Sequence, residues 1–314
     1  MLLLLLLAQL APPHGTLRVD QFFSPALGVS KHVVIYLPPG YERHPARRYA
    51  VAYYLHGIFG NESDWVALAE IDRVEDSLIA GGRAPLILVM PDGDDAFYTN
   101  AAVPESRETC LTDTLLVRRG TTYCTVRQDY AGYIATDLVH YVDSTYRTLA
   151  DRRHRGIAGL SMGGYGAVTI ALTHPDLFAA AASHSGVLSP LFAGPHPFSA
   201  PAHYATSMES LHTAYGWAWA NIGHAFGDDT ASWYARDPAR LAQQLHAAGG
   251  EFPALYLDGG TADGLTDQSR AFHSELNALG VIHAYAEWPG GHDWRYWRTH
   301  VGESLAWLAG RIGR

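Results

Sequence analysis

One serine, one histidine and a short run of carboxylates could together perform nucleophilic chemistry in this chain. Ser161 stands in Gly159-Leu160-Ser161-Met162-Gly163, the pattern G-x-S-x-G. Five residues alone are weak evidence, since a chance match somewhere in a chain of this composition is about one in six. Their setting is stronger. The apolar run RGIAGLS (155–161) leads into the serine, and a helical pattern containing Gly164 and Gly166 follows it. A serine on a tight strand-to-helix turn adopts strained dihedrals so that its Oγ clears the sheet, and side chains two residues away would collide with neighbouring elements. Gly159 and Gly163 meet that need, and Gly164 and Gly166 would let the helix pack close to the sheet. The helix N-terminus would add partial positive charge where an oxyanion forms.

A serine hydroxyl needs a base. The chain has 17 histidines, so position must select among them. His292, in EWPGGHDWRYW, follows the last apolar run and precedes the last helical pattern, whereas His283 falls inside that run and His273 and His300 fall in helical patterns. The chain order serine, acid, histidine places the acid after the preceding strand. There LYLDGGTADGLTD offers Asp258, Asp263 and Asp267. Asp258 belongs to the strand end and Asp267 reads as a helix N-cap, so Asp263 is the expected acid, with Asp258 the alternative. It would fix the imidazole tautomer and stabilise the imidazolium. Two backbone N–H groups would receive the oxyanion. One belongs to Met162; the other is that of Ile58 in YYLHGIFGNESDW, where Gly57 permits close backbone approach. His56, Phe59 and Trp294 are the expected substrate contacts.

Apolar runs and helical patterns alternate around these motifs. LRVDQFFS (17–24) and SKHVVIYLP (30–38) alternate partially and read as two half-buried antiparallel strands. The runs at 49–57, 84–93, 155–161, 178–186, 252–260 and 281–291 are continuously apolar, as strands covered on both faces are. Helical patterns occupy 64–82, 130–148, 163–175, 238–250, 267–280 and 293–313. The alternation predicts a mostly parallel, doubly wound α/β sheet in one domain over 16–313. Residues 187–237 carry no strand pattern and are rich in Pro, His, Ala and aromatics. They read as a partly helical insertion over one end of the sheet. Trp217, Trp219, Trp233 and Trp294 would either line an aromatic pocket or fill core.

Of 314 residues, 48% are hydrophobic and 17% charged, and the net charge is −9. No concentrated basic face is present, which argues against nucleic-acid binding. Asp92, Asp94 and Asp95 in PDGDDAF read as solvated or structural rather than as a cation site, and no cysteine or histidine spacing suits zinc. No metal or organic cofactor is expected. The N-terminal MLLLLLLAQLAPPHG resembles a secretory h-region and is too short to span a bilayer, though no basic residue precedes it and no clean cleavage site follows. Residues 1–13 are thus expected to be a signal peptide or its remnant, the protein secreted or periplasmic, and membrane insertion absent after processing; a cytoplasmic location is the alternative. In an exported chain Cys110 and Cys124 would close a disulfide worth about 3 kcal/mol. In the cytosol they would be separate thiols.

YLHGIFGNESDW, MPDGDDAFYTN, GIAGLSMGGYGAVTIALTHPDLFAAAASHSG, FGDD, LDGGTADGL and PGGHDWRYWR together make the chain, over about residues 18–312, resemble the putative esterase family of α/β hydrolases. That family includes feruloyl esterases, S-formylglutathione hydrolases (esterase D), tributyrin esterases and the antigen 85 mycolyltransferases. The resemblance implies an α/β-hydrolase fold, triad roles for Ser161, Asp263 and His292, and oxyanion roles for Ile58 and Met162. It implies a serine esterase that cleaves a small-molecule ester through an acyl-enzyme. Acyl transfer to a sugar or lipid alcohol is the alternative; a non-catalytic binding module would have no need of all three residues. The cysteine loop and the 187–237 insertion stand outside the family's general pattern, so substrate choice is expected to lie there.

Overall fold

A computed structural model describes residues 14–112 and 123–313, so the leucine run lies outside the described residues. The frame is an eight-stranded sheet in the order β1-β2-β4-β3-β5-β6-β7-β8. β1 (Thr16–Ser24) pairs antiparallel with β2 (Val29–Leu37), which pairs antiparallel with β4 (Leu86–Pro91). β4, β3 (Ala50–Leu55), β5 (Arg155–Leu160), β6 (Ala180–His184), β7 (Ala254–Gly260) and β8 (Ala284–Trp288) run parallel. This is the expected mostly parallel sheet with an antiparallel start.

In chain order the helices before the central strand are α1 (Asp64–Ala67), α2 (Ile71–Ala80), α3 (Arg107–Thr112), α4 (Tyr130–Gly132) and α5 (Val139–Thr145). After it come α6 (Met162–Thr173), α7 (Met208–Tyr215), α8 (Trp219–Phe226), α9 (Thr230–Ala235), α10 (Pro238–Ala247), α11 (Thr266–Ala278) and α12 (Trp294–Ile312). α1, α2 and α12 cover one face of the sheet, and α4 to α6, α10 and α11 cover the other. β3 shows why the strands read as continuous apolar runs. Val51, Tyr53 and Leu55 enter one apolar layer, while Ala50, Ala52 and Tyr54 enter the opposite one. Side chains alternate faces along a strand, and here neither face meets water.

Several boundaries differ from the sequence reading. The 64–82 segment is two helices, because Glu70 between them turns left-handed (φ 52°). The 130–148 segment widens into a π-helical stretch over Tyr133–Leu138, between α4 and α5. β8 is only half-buried, since it is the last strand of the sheet, and His283 lies just before it rather than within it. The insertion holds α7 to α9 and one isolated bridge, Phe192 to Tyr204. It has an aromatic centre of its own. Trp233 is fully buried, with its ring 4.8 Å from that of Phe226. Phe226 in turn meets Tyr165 of α6 and Phe97 of the loop after β4. The insertion is thereby fixed over the carboxyl ends of the strands.

Glu75 of α2 is sealed in this packing. Its Oε1 accepts from the Leu86 N–H at 2.9 Å, and among the described residues its Oε2 has no partner. Burial pushes the carboxyl from the ordinary 4.5 up to about 8. The folded state therefore keeps a proton, between those two values, that the unfolded chain has already released, and stability falls as pH rises through that window. Glu75→Gln keeps the acceptor and removes the ionisation. It is expected to flatten this share of the fall and to raise stability at pH 8 by ~2 kcal/mol. Thermal melts of both proteins from pH 5 to 8 check this; parallel curves would refute it.

Candidate active site

Ser161 follows β5 directly and precedes α6, at φ 52° and ψ −117°. That strained geometry is held by the backbone on both sides. The Ser161 N–H donates to the His184 carbonyl at 2.9 Å, and its own carbonyl accepts from Tyr165 at 3.1 Å and Val187 at 3.3 Å. A Cβ at residue 163 would sit 2.3 Å from the Leu55 carbonyl oxygen and 2.5 Å from that of His56, so only glycine fits. Gly159 is equally confined, against the Gly163 carbonyl, and Gly164 lies against Ser183 and Gly186 beyond β6. Gly166 differs from expectation: its close neighbour is the Tyr98 ring, so its smallness admits the loop after β4 rather than the sheet.

His292, Ser161 and Asp263 meet. His292 Nε2 lies 2.9 Å from Ser161 Oγ, and its Nδ1 lies 2.9 Å from Asp263 Oδ2. The other Asp263 oxygen accepts from the Leu265 N–H at 2.7 Å. Burial alone would raise the Asp263 carboxyl; the His292 bond and charge and the Leu265 N–H outweigh it and hold the group below the ordinary carboxylate range. A charged Asp263 places the imidazole proton on Nδ1, leaving Nε2 to accept from the serine hydroxyl. Asp258 is elsewhere, sealed in the core 2.8 Å from His184. Asp267 is not the N-cap of α11. Leu265 holds that place, the turn before it is closed by Asp263, and Asp267 lies in the first turn, paired with His196 at 2.6 Å and Arg270 at 2.9 Å.

The turn after β3 runs from Gly57 to Gly60, closed by the Gly60 N–H on the Gly57 carbonyl at 3.1 Å, with Phe59 at φ 66°. Gly57 packs against Leu160 and Ser161. Among the described residues, the Ile58 and Met162 backbone N–H groups have no acceptor in the chain. Both residues line the cavity that opens over Ser161. His56 corrects its expected role, because it is fully buried and does not reach that cavity. Its Nδ1 donates to the Gly57 carbonyl at 2.8 Å and its Nε2 accepts from the Gly93 N–H at 2.9 Å. It therefore braces the turn from beneath.

The cavity has a volume of about 880 Å³. Phe59 and Trp294 line it, with Phe97 and Trp297. The insertion supplies another wall through Val187, Phe192, Trp217 and Ile222. The tryptophans thus divide: Trp217 and Trp294 form walls, Trp233 fills core, and Trp219 stacks between His212 and Trp233. His196, which no motif singled out, lines the cavity and is oriented by Asp267. The acids of PDGDDAF divide between two sets of partners. Asp92 and Asp94 pair with the buried Lys31 at 2.8 and 2.7 Å, and Asp95 accepts from the Phe59 N–H. Cys110 and Cys124 form a disulfide. Among the described residues no helix is long and apolar enough to cross a membrane.

A serine–histidine–carboxylate relay on this sheet defines an α/β-hydrolase-like protein. The chain matches the family described as "Putative esterase" over residues 24–308, and it belongs to that family, which includes carboxylic ester hydrolases. Among curated relatives, an acetyl esterase of Caldicellulosiruptor saccharolyticus is 26% identical over 82% of this chain and 82% of its own. Esterase Rv1288 of Mycobacterium tuberculosis is 28% identical over 88% of this chain, which spans only 55% of that protein's length. A ferulic acid esterase structure superposes with a TM-score of 0.68 at 24% identity, covering 95% of this chain and 99% of its own. At that identity the likeness speaks for the fold.

The crowding at Gly163 can be measured. Gly163→Ala is expected to cost about 3 kcal/mol or more, because the obstructing atoms are backbone carbonyls that cannot rotate away. Gly310→Ala in α12, where a Cβ would meet nothing within 4 Å, is expected to stabilise by about 0.5–1 kcal/mol. Denaturant melts of the two variants check the contrast; equal effects would refute the assignment.

Proposed function

We propose that the protein is a serine ester hydrolase working through an acyl-enzyme on Ser161. The observation that carries this reading is the unbroken relay from Ser161 Oγ through His292 to Asp263, with 2.9 Å at each step. It lies on a strained turn beside two unengaged backbone amides. Ser161 attacks the ester carbonyl while His292 Nε2 takes the hydroxyl proton. The Ile58 and Met162 N–H groups receive the oxyanion, an interaction worth about 10²–10³-fold in kcat per donor. His292 then protonates the departing alcohol, and water, deprotonated by the same imidazole, releases the acid. Every proton in this cycle moves through His292. The apolar cavity supports burial of the acyl part, and the acetyl and ferulic acid esterases among the similar proteins support an ester substrate. We further propose an oxidising compartment, a reading that the Cys110–Cys124 disulfide supports.

Assays on p-nitrophenyl esters of graded acyl length test the reading. Wild type is expected to turn over part of the series, with Ser161→Ala slower by at least about 10⁴-fold and Asp263→Asn by about 10³–10⁴-fold. A wild type inert on the whole series, or a fully active Ser161→Ala, would sink it. A sugar alcohol that outcompetes water for the acyl group would replace hydrolysis by transfer. Mass spectrometry of the natively produced protein without reductant is expected to find Cys110 linked to Cys124, and free thiols would overturn the compartment.

A further inference from the structure

Three features left unused by the chemistry above converge on one carboxylate. They are the acids of PDGDDAF, the cysteine pair and the 187–237 insertion. Asp95 is buried. Its Oδ1 accepts from the Phe59 N–H at 2.5 Å. Its Oδ2 lies 3.4 Å from Asn221 Nδ2, on α8 of the insertion, and 3.5 Å from the Tyr123 hydroxyl. Tyr123 adjoins Cys124, which the disulfide ties to Cys110 on α3.

Phe59 is the third residue of the turn that presents the Ile58 N–H. A positive φ at that position ordinarily selects glycine or asparagine, and here a phenylalanine adopts it at 66°. Such a conformation persists only when its surroundings hold it. A hydrogen bond from the Phe59 N–H to a buried carboxylate is a charge-assisted hold of that kind. Asp95 is itself placed firmly. The residue before it, Asp94, is anchored by Lys31 at 2.7 Å and by the Tyr130 hydroxyl at 2.5 Å.

We propose that Asp95 is the positioning residue of the oxyanion turn, and that it couples this turn to the insertion through Asn221 and to the disulfide-closed loop through Tyr123. It touches no reacting atom. By fixing the peptide that follows Ile58, it aims the Ile58 N–H at the place where the oxyanion forms. The coupling rests on the ester-hydrolase reading.

The test compares wild type, Asp95→Asn and Asp95→Ala, with kcat referred to sites counted by fluorophosphonate titration so that unfolded molecules do not enter. Asp95→Ala is expected to lose about 10²-fold in kcat, the scale of one oxyanion donor, with KM changed less than about threefold. Asp95→Asn keeps an acceptor for the Phe59 N–H and is expected to recover most of that loss. Affinity for a trifluoromethyl ketone, whose adduct carries an oxyanion, should weaken in parallel with kcat/KM across the variants, while affinity for the product acid stays constant. Reduction of the disulfide is expected to lower kcat in wild type but not in Asp95→Ala. If Asp95→Ala fails to fold, Asn221→Ala carries the test, with an expected kcat loss of about threefold and unchanged product-acid affinity. Wild-type kcat per titrated site in Asp95→Ala, or a loss confined to KM, overturns the proposal. If Asn221→Ala carries the test, wild-type kcat overturns it. A wild type inert on every ester overturns the hydrolase reading and the coupling with it.

Discussion

The site depends on one close approach. At residue 163 there is no room for a carbon between the start of α6 and the carbonyls of Leu55 and His56. This contact brings the helix that follows the nucleophile against the end of β3, and so brings Ser161 beside the turn that begins at Gly57. The two crowding carbonyls are not left bare. Leu55 accepts from the Trp65 indole at 3.1 Å and His56 from the Tyr98 hydroxyl at 3.2 Å. Buried carbonyls without partners would make the approach costly. The glycine and the two aromatic donors are therefore one arrangement, and nucleophile and oxyanion turn are placed by it together.

A second buried cluster steadies the other side. His184 Nε2 lies 2.7 Å from Ser304 Oγ and its Nδ1 pairs with Asp258, which also accepts from the Tyr296 hydroxyl at 3.1 Å. The cluster repeats the serine–histidine–aspartate pattern of the site, but it is sealed and no substrate can reach it. Its backbone serves the site instead: the His184 carbonyl takes the Ser161 N–H, and the Asp258 carbonyl takes the Ser185 N–H at 2.7 Å. Ser304 and Tyr296 stand on α12, the helix that follows His292. One polar knot thus joins β6, β7, the strand that precedes Asp263, and α12, the helix that follows His292.

The legible parts of the sequence were those governed by local rules. Strands between two apolar layers gave continuous runs, and the chain order of Ser161, Asp263 and His292 brought those residues together. The misread parts depended on orientation or distant pairing. His56 lies in the right motif, but its ring turns inward to Gly93. Glu70 is a good helix former that nevertheless breaks a helix. Asp258 belongs to the strand end, as its position implies, but nothing local reveals its partner; only the register of β6 on β7 sets His184 opposite it, 74 residues away. Asp267 matches an N-cap pattern, but it stands in the first turn of α11, whose N-cap, Leu265, makes no side-chain cap.

Chain direction explains why the parts converge. Parallel strands send their carboxyl ends to one edge, and the loops beyond them meet there. The oxyanion turn follows β3, Asp95 follows β4, Ser161 follows β5, the insertion follows β6, Asp263 follows β7 and His292 follows β8. β2 contributes for the opposite reason. It runs antiparallel, with Val33 opposite Pro91, so its first residues lie beside the carboxyl end of β4. Lys31 therefore stands where it can hold Asp92 and Asp94. Burial disfavours every charge in that cluster, and Lys31 offsets the cost by pairing with both carboxylates, at 2.8 and 2.7 Å. A parallel strand in the same place would begin at the far edge of the sheet, and the loop that carries Asp95 would lose its anchor.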